Sequence, residues 1–369
     1  MQQPLRPWMW GFAVGFFLLF AQSCEDSATQ SVPLRIVPDD YETIQAAIDA
    51  ADPGDIVLLR PGIYTHMETH YPDDPEFPNG IRTAMFLKEG VVVAGDGGPG
   101  EVVVRDTTGA DTTYGAAIHF MPDNRTNIQN VDFEDFHIGV VIRGDKGGVY
   151  GCRVAGSDAG IWAFRATEPE IIGNLVEDCI FDGVLNQLAD ATIAINFIRD
   201  CGGGVGIEIG GSPFVTRNLI CLNSVGVVAN TGVTPIIQRN VIIRNEQYGL
   251  FFSSGAVPIA VDNDIYENPV GIRADFYNPP LEEPINAVSN FWDTLDIDSV
   301  GLDLILDEND TPGAGAEVEY LPIGPSPFNP FNFDPTAQCE VEDTETLRKR
   351  LVSLAAEAPV ELPSRTQRP

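Results

Sequence analysis

The stretch that decides the fold runs Ile171-Ile172-Gly173-Asn174, Ile193-Ala194-Ile195-Asn196, Val215-Thr216-Arg217-Asn218, Ile237-Gln238-Arg239-Asn240 and Ala260-Val261-Asp262-Asn263. Its asparagines stand at 174, 196, 218, 240 and 263, with steps of 22, 22, 22 and 23 residues. A sixth, Asn290, follows 27 later, across a Pro- and Glu-rich insertion at residues 279–284. Five residues before four of them comes a proline: Pro169, Pro213, Pro235 and Pro258. Proline is tolerated at the first position of a strand, where its missing N–H is not needed. Two residues after each Asn stands Val176, Ile198, Ile220, Ile242 or Ile265. Eight to ten after it comes Gly183, Gly206, Gly226, Gly249 or Gly271, followed by an aliphatic residue. Cys152 with Gly160, and Val131 with Gly139, extend the unit backwards.

A period near 22 that holds three short β-branched runs describes one coil of a solenoid, and one coil cannot bury its own apolar residues. Stacking at about 4.8 Å sets like over like. Inward asparagines at tight bends are expected to adopt the left-handed conformation and to hydrogen-bond along the stack, satisfying backbone groups that would otherwise be orphaned. The reading is therefore all-β: a parallel β-solenoid of about ten coils.

Outward from the repeat, Ile44, Ala47, Ile48 and Ala51 fall at helical spacing within residues 41–51, and Asp52-Pro53-Gly54 ends that helix before the first strands at residues 55–64. At this point the chain resembles the right-handed parallel β-helix, or pectate-lyase-like, superfamily. The resemblance spans roughly residues 36–325 and implies that the helix caps the open apolar end of the solenoid. Asn290-Phe291-Trp292-Asp293 is similar to a terminal segment of that superfamily, with Asp293 where glycine is usual. The resemblance implies fold and leaves function open, because one superfold hosts many activities. The signatures of its polygalacturonases, pectate lyases and mannuronan epimerases are absent. Asp135-Phe136-His137-Ile138-Gly139 is similar to a string in pectin methylesterases, but Gly139 is already required by the repeat.

The organisation expected is a signal peptide at residues 1–23, a tether at 24–38, the β-helix with its caps at 39–325, and a Pro-rich linker with a short C-terminal helix at 326–369. Arg6, the uncharged run at residues 8–21 and Ala21-Gln22-Ser23-Cys24 describe an export signal of lipoprotein type, with Cys24 as the lipidated residue. The run is too short for a comfortable membrane span. The protein is thus expected outside the cytoplasm, in the cell envelope or secreted, as a monomer that meets a membrane only through Cys24. A net charge of −33 excludes nucleic acid and anionic membrane surfaces as partners. The C-terminal helix either docks on the solenoid or trails as a tail.

Six cysteines in 369 residues are too sparse for a disulfide scaffold. Cys179 and Cys201 occupy the same slot of adjacent coils, so they form either a disulfide or a buried thiol pair. Cys152, Cys221 and Cys339 have no obvious partner.

Candidate chemistry lies in two places. His66, Glu68 and His70 alternate, and with Asp73 and Asp74 in a loop they could hold a divalent cation such as Ca2+. On a regular strand His66 and His70 would stand about 13 Å apart, too far for one ion. The other place is the outward face of the sheet that follows the coil glycines. Counting from those glycines, Trp162, Phe164, Phe251, Arg143, Arg273 and Glu208 point out, while Ile207 and Ile209 point in. Aromatic faces suit sugar rings and arginine suits uronate carboxylates, so a polysaccharide is the expected partner. Arg143, Lys146 and Arg165 are the candidate base and neutraliser of a lyase, and Glu208 the candidate acid or cation ligand. The readings carried forward are a binder or processor of an acidic polysaccharide, a lyase or hydrolase with an unrecognised site, and a non-catalytic structural, adhesive or metal-cofactor accessory lipoprotein.

Overall fold

The computed structural model describes residues 32–71, 78–107, 115–120, 124–144, 146–331, 334–340 and 344–357. Cys24 and the export segment lie outside the described residues, as do Asp73 and Asp74. Three sheets of 12, 9 and 11 strands run along the solenoid, and through its middle each coil contributes one strand to each sheet. Among the described residues all strand pairings are parallel except Glu68–His70 against Ile81–Leu87, at the edge of the third sheet. This is a parallel β-solenoid of about ten turns. Among the described residues no helix is long and apolar enough to cross a membrane.

Like stacks on like, as the period requires. The third-sheet column Ile161, Val184, Val205, Val227, Leu250 and Ile272 is fully buried, one residue per coil. Asn174, Asn196, Asn218, Asn240, Asn263 and Asn290 form a side-chain ladder, each Nδ2 donating to the next Oδ1 at 2.9–3.0 Å. A second ladder joins Asn223, Asn245 and Asn268. The cysteines take the upstream slots of these ladders: Cys152 N–H donates to Asn174 and Cys201 N–H to Asn223. Cys179 and Cys201 are buried free thiols, not a disulfide.

The structure corrects two details of the coil. The left-handed residue is the one before each ladder asparagine: Gly173, Ile195, Arg217, Arg239, Asp262 and Ser289, with φ between 54° and 71°. The turn is made there so that the asparagine itself can point inward and bond along the stack. Secondly, the coil glycine between Gly183 and Gly226 is Gly204, not Gly206. A Cβ at Gly160, Gly183, Gly204, Gly226 or Gly249 would come within 2.3–3.1 Å of the next coil's carbonyl oxygen, so this column admits no side chain. Residues 202–204 and 206 are all glycine, so spacing alone could not choose among them. The core chose, by placing Val205 between Val184 and Val227. Ile209, expected inside, is in consequence 48% exposed.

The helix Ile44–Ala50 starts at Thr43, whose side chain accepts from Ala46 N–H. Ile44, Ala47 and Ile48 join the interior core. Gln45 clasps both backbone groups of Phe86, accepting from its N–H at 2.8 Å and donating to its carbonyl at 3.3 Å.

The C-terminal segment docks along the outer side of the second sheet. Phe331, Cys339, Leu347 and Leu351 form a separate core with Leu175, Phe197, Leu219, Cys221 and Val241. Cys221 and Cys339, without an evident partner in the sequence, are joined by a disulfide across 118 residues. The helix Thr344–Glu357 buries Arg348, which pairs with Asp132 and donates to Gly151 O at 3.0 Å. At the other end of the strap, Asp264 accepts from the N–H groups of Phe328 and Asn329 at 2.7 and 2.8 Å.

Candidate functional site

The C-terminal segment covers the second sheet and leaves the outward side chains of the third half-exposed. That face is three columns wide. The first holds Ala159, Asp182, Gly203, Val225, Tyr248 and Val270; the second Trp162, Leu185, Gly206, Val228, Phe251 and Arg273. The third runs Phe164, Gln187, Glu208 and then Asn230. The shift of the coil glycine to Gly204 thus moves Glu208 from beside Leu185 to beside Gln187.

At one end of the face the Trp162 and Phe164 rings stack at 4.7 Å. The guanidinium groups of Arg143 and Arg165 both lie 5.1 Å from the Phe164 ring centre. Such contacts help to fix the orientation of each arginine against the ring. Lys146 does not join them, since its ammonium pairs with Glu168 at 3.0 Å. The expected cluster is therefore two arginines on a shared aromatic ring, with the lysine apart.

From Trp162 a polar chain crosses the coils. Trp162 Nε1 donates to Gln187 Oε1 at 3.0 Å, Gln187 Nε2 to Glu208 Oε2 at 2.9 Å, and Asn230 Nδ2 to Glu208 Oε1 at 3.2 Å. Each oxygen of Glu208 thus has one amide donor.

Asp182 has a different environment. It stands in an otherwise uncharged column, and its carboxylate lies over the next coil where two glycines make room. A Cβ at Gly203 would come within 2.1 Å of Asp182 Oδ1, and one at Gly206 within 2.6 Å of Oδ2. Among the described residues no donor bonds to this carboxylate. Burial, and then the like charge of Glu208, push its carboxyl up to about 6. Sequence reading missed Asp182. The available signal was a lone acid directly before a coil glycine, followed one period later by a run of glycines.

At the far end, Phe251 stacks on Tyr248 at 5.7 Å and meets Phe276 edge-on. Arg273 is held by Asp275 Oδ2 at 2.5–3.1 Å and donates to Tyr248 Oη at 2.7 Å. Its charge is already matched within its own strand, so this end offers an aromatic ledge more than a cationic one.

His66, Glu68 and His70 do not converge. His66 Nε2 lies 3.1 Å from Glu68 Oε1, while the His70 ring stacks on Phe86 at 4.8 Å. Burial pulls the His70 imidazole below its ordinary value. Among the described residues no three His, Cys, Asp or Glu side chains are placed to hold a metal ion. Another histidine, His137, has Nδ1 2.5 Å from Asp158 Oδ2 at the rim of the third sheet.

Comparison with known proteins agrees with the fold. Residues 116–279 match the family described as right handed beta helix region. Among solved structures, pectate lyase Pel9A is similar with a TM-score of 0.54 at 14% identity, covering 82% of this chain and 80% of that one. The mannuronan C-5 epimerase AlgE6 A-module of Azotobacter vinelandii gives 0.41 at 14% identity, over 77% of this chain and 94% of that one. DFA-IIIase of Arthrobacter chlorophenolicus A6 gives 0.42 at 14% identity, over 71% and 84%. Comparison with curated proteins finds no match. The chain has a right-handed parallel β-helix fold.

Proposed function

We propose that this β-helix binds a polysaccharide along the outward face of its third sheet, with the chain laid across successive coils from Phe164 towards Phe251. The observation that carries the reading is the stacked Trp162–Phe164 platform with Arg143 and Arg165 set against Phe164. The aromatic pair offers apolar faces to sugar rings, and the two guanidinium groups bring positive charge beside them, which suits an acidic polymer. Coils repeat at about 4.8 Å, close to the advance of one sugar in an extended polymer, so a chain can keep register with the stack. The Phe251–Tyr248 ledge extends the same surface.

The test is the double variant Trp162→Ala with Arg165→Ala, compared with the parent by calorimetry on polygalacturonate and alginate. Loss of an aromatic and an arginine anchor should weaken binding by about 2 kcal/mol or more. A folded double variant that binds both polymers as the parent does would place the surface elsewhere. In this reading the protein works as a monomer outside the cytoplasm, tethered through a lipid on Cys24. Cys24→Ala should then move it from the membrane to the soluble fraction, and retention at the membrane would remove the anchor from the proposal.

A further inference from the structure

Resting on the reading of this face as a glycan surface, we propose that Asp182 and Glu208 hydrolyse the bound chain, Asp182 as proton donor to the glycosidic oxygen and Glu208 as the base that activates water.

The two carboxylates share a face and differ in surroundings, as an acid and a base must. Asp182 lies over the glycine floor of Gly203 and Gly206, and no donor among the described residues stabilises its charge. Glu208 accepts from Gln187 and Asn230, which orient its two oxygens. An acid that must hold a proton and a base that must lack one are commonly set apart in this way. Asp182 Oδ2 sits against Gly206, and Glu208 stands two residues further along the same strand, Gly203–Glu208. Trp162, through Gln187, ties Glu208 to the aromatic platform, so the ring that would seat a sugar also positions the base.

In the reaction, the Asp182 proton passes to the bridging oxygen as the C1–O bond breaks. The water oxygen bonds to C1, and one water proton goes to Glu208. The products are two shorter chains, one with a new reducing end, and solvent returns the proton from Glu208 to Asp182. The charged group facing Asp182 is Glu208 on the next coil; Ala159 precedes it in the column, and the His137–Asp158 pair stands at the rim. With its carboxyl up at about 6, Asp182 keeps a proton in mildly acidic solution, where an ordinary aspartate has lost it.

The experiment uses the full chain with polygalacturonate, alginate and a neutral β-glucan, following binding, reducing ends and absorbance at about 235 nm separately. That absorbance reports the unsaturated product of elimination, a route without the Asp182 acid and Glu208 base pairing of hydrolysis. The expected result is reducing ends from at least one bound polymer without the absorbance. The rate should fall about tenfold per pH unit above about 6. Asp182→Asn and Glu208→Gln should each lower it at least about 100-fold while binding stays within about twofold. Glu208 lies at a half-exposed position, so Glu208→Gln tests the pair independently of Asp182→Asn. A parent protein that binds one of the polymers yet releases no reducing ends between pH 4 and 8 overturns this inference and leaves the binding reading standing. So does elimination product, or either folded variant working at the parental rate. Binding of none of the three polymers overturns both.

Discussion

Replacing Asp182 by Asn should stabilise the protein, and only above mildly acidic pH. The carboxyl sits over Gly203 and Gly206 with no donor among the described residues, and its acid constant moves from an ordinary 3.8 to about 6 on folding. At 1.36 kcal/mol per tenfold, holding the ionised form in that seat costs about 3 kcal/mol, an upper figure because water still reaches its edge. The sign follows from the direction. A carboxyl whose folded value is raised imposes no penalty below pH 3.8, where it is protonated in both states. The penalty grows between about pH 4 and 6 and is complete above that. Asparagine is nearly isosteric and never ionises, so the variant should match the parent at pH 4 and exceed it by about 2–3 kcal/mol at pH 8. Guanidinium unfolding followed by circular dichroism at both pH values measures the gap. An equal gap at pH 4 and 8 would assign the effect to packing, and no gap at pH 8 would refute the reading of a desolvated carboxylate.

Other consequences concern the strap and the ladders. Arg348→Ala leaves the Asp132 carboxylate buried without its cation, which should cost about 3–5 kcal/mol at neutral pH and less in acid as Asp132 protonates; limited proteolysis should then release the C-terminal helix. Cys339→Ser opens a loop closed across 118 residues and should lower stability by up to about 4–5 kcal/mol, with the midpoint of the variant, unlike that of the parent, insensitive to reductant. Asn218→Ala strands the Ile193 carbonyl and both Asn196 donors in the interior, for a loss of at least about 4 kcal/mol by denaturant titration. A loss below about 1 kcal/mol there would mean that the ladder fills space without bonding.

The architecture was legible in the sequence because a solenoid is periodic. Residues one period apart become neighbours, so the 22-residue spacing of Asn174 to Asn263 is itself the contact map of the core. Inward glycines, aliphatics and asparagines repeat because each must fit the copy of itself above and below. Nothing comparable constrains the outward residues. Whether Gly204 or Gly206 carries the coil was settled by Val205 packing between Val184 and Val227, and that choice decided where Glu208 points. Asp182 acquired its character from glycines one coil away, a relation that no local pattern announces. The bond between Cys221 and Cys339 depended on a tail that turns back over the second sheet, and the separation of His70 from His66 on a ring contact with Phe86. The sequence by itself determined what repeats along the axis, since stacking is a nearest-neighbour interaction. The tertiary structure decided what meets across the coils and between the solenoid and its tail, where partners are distant in the chain and packing alone sets the register.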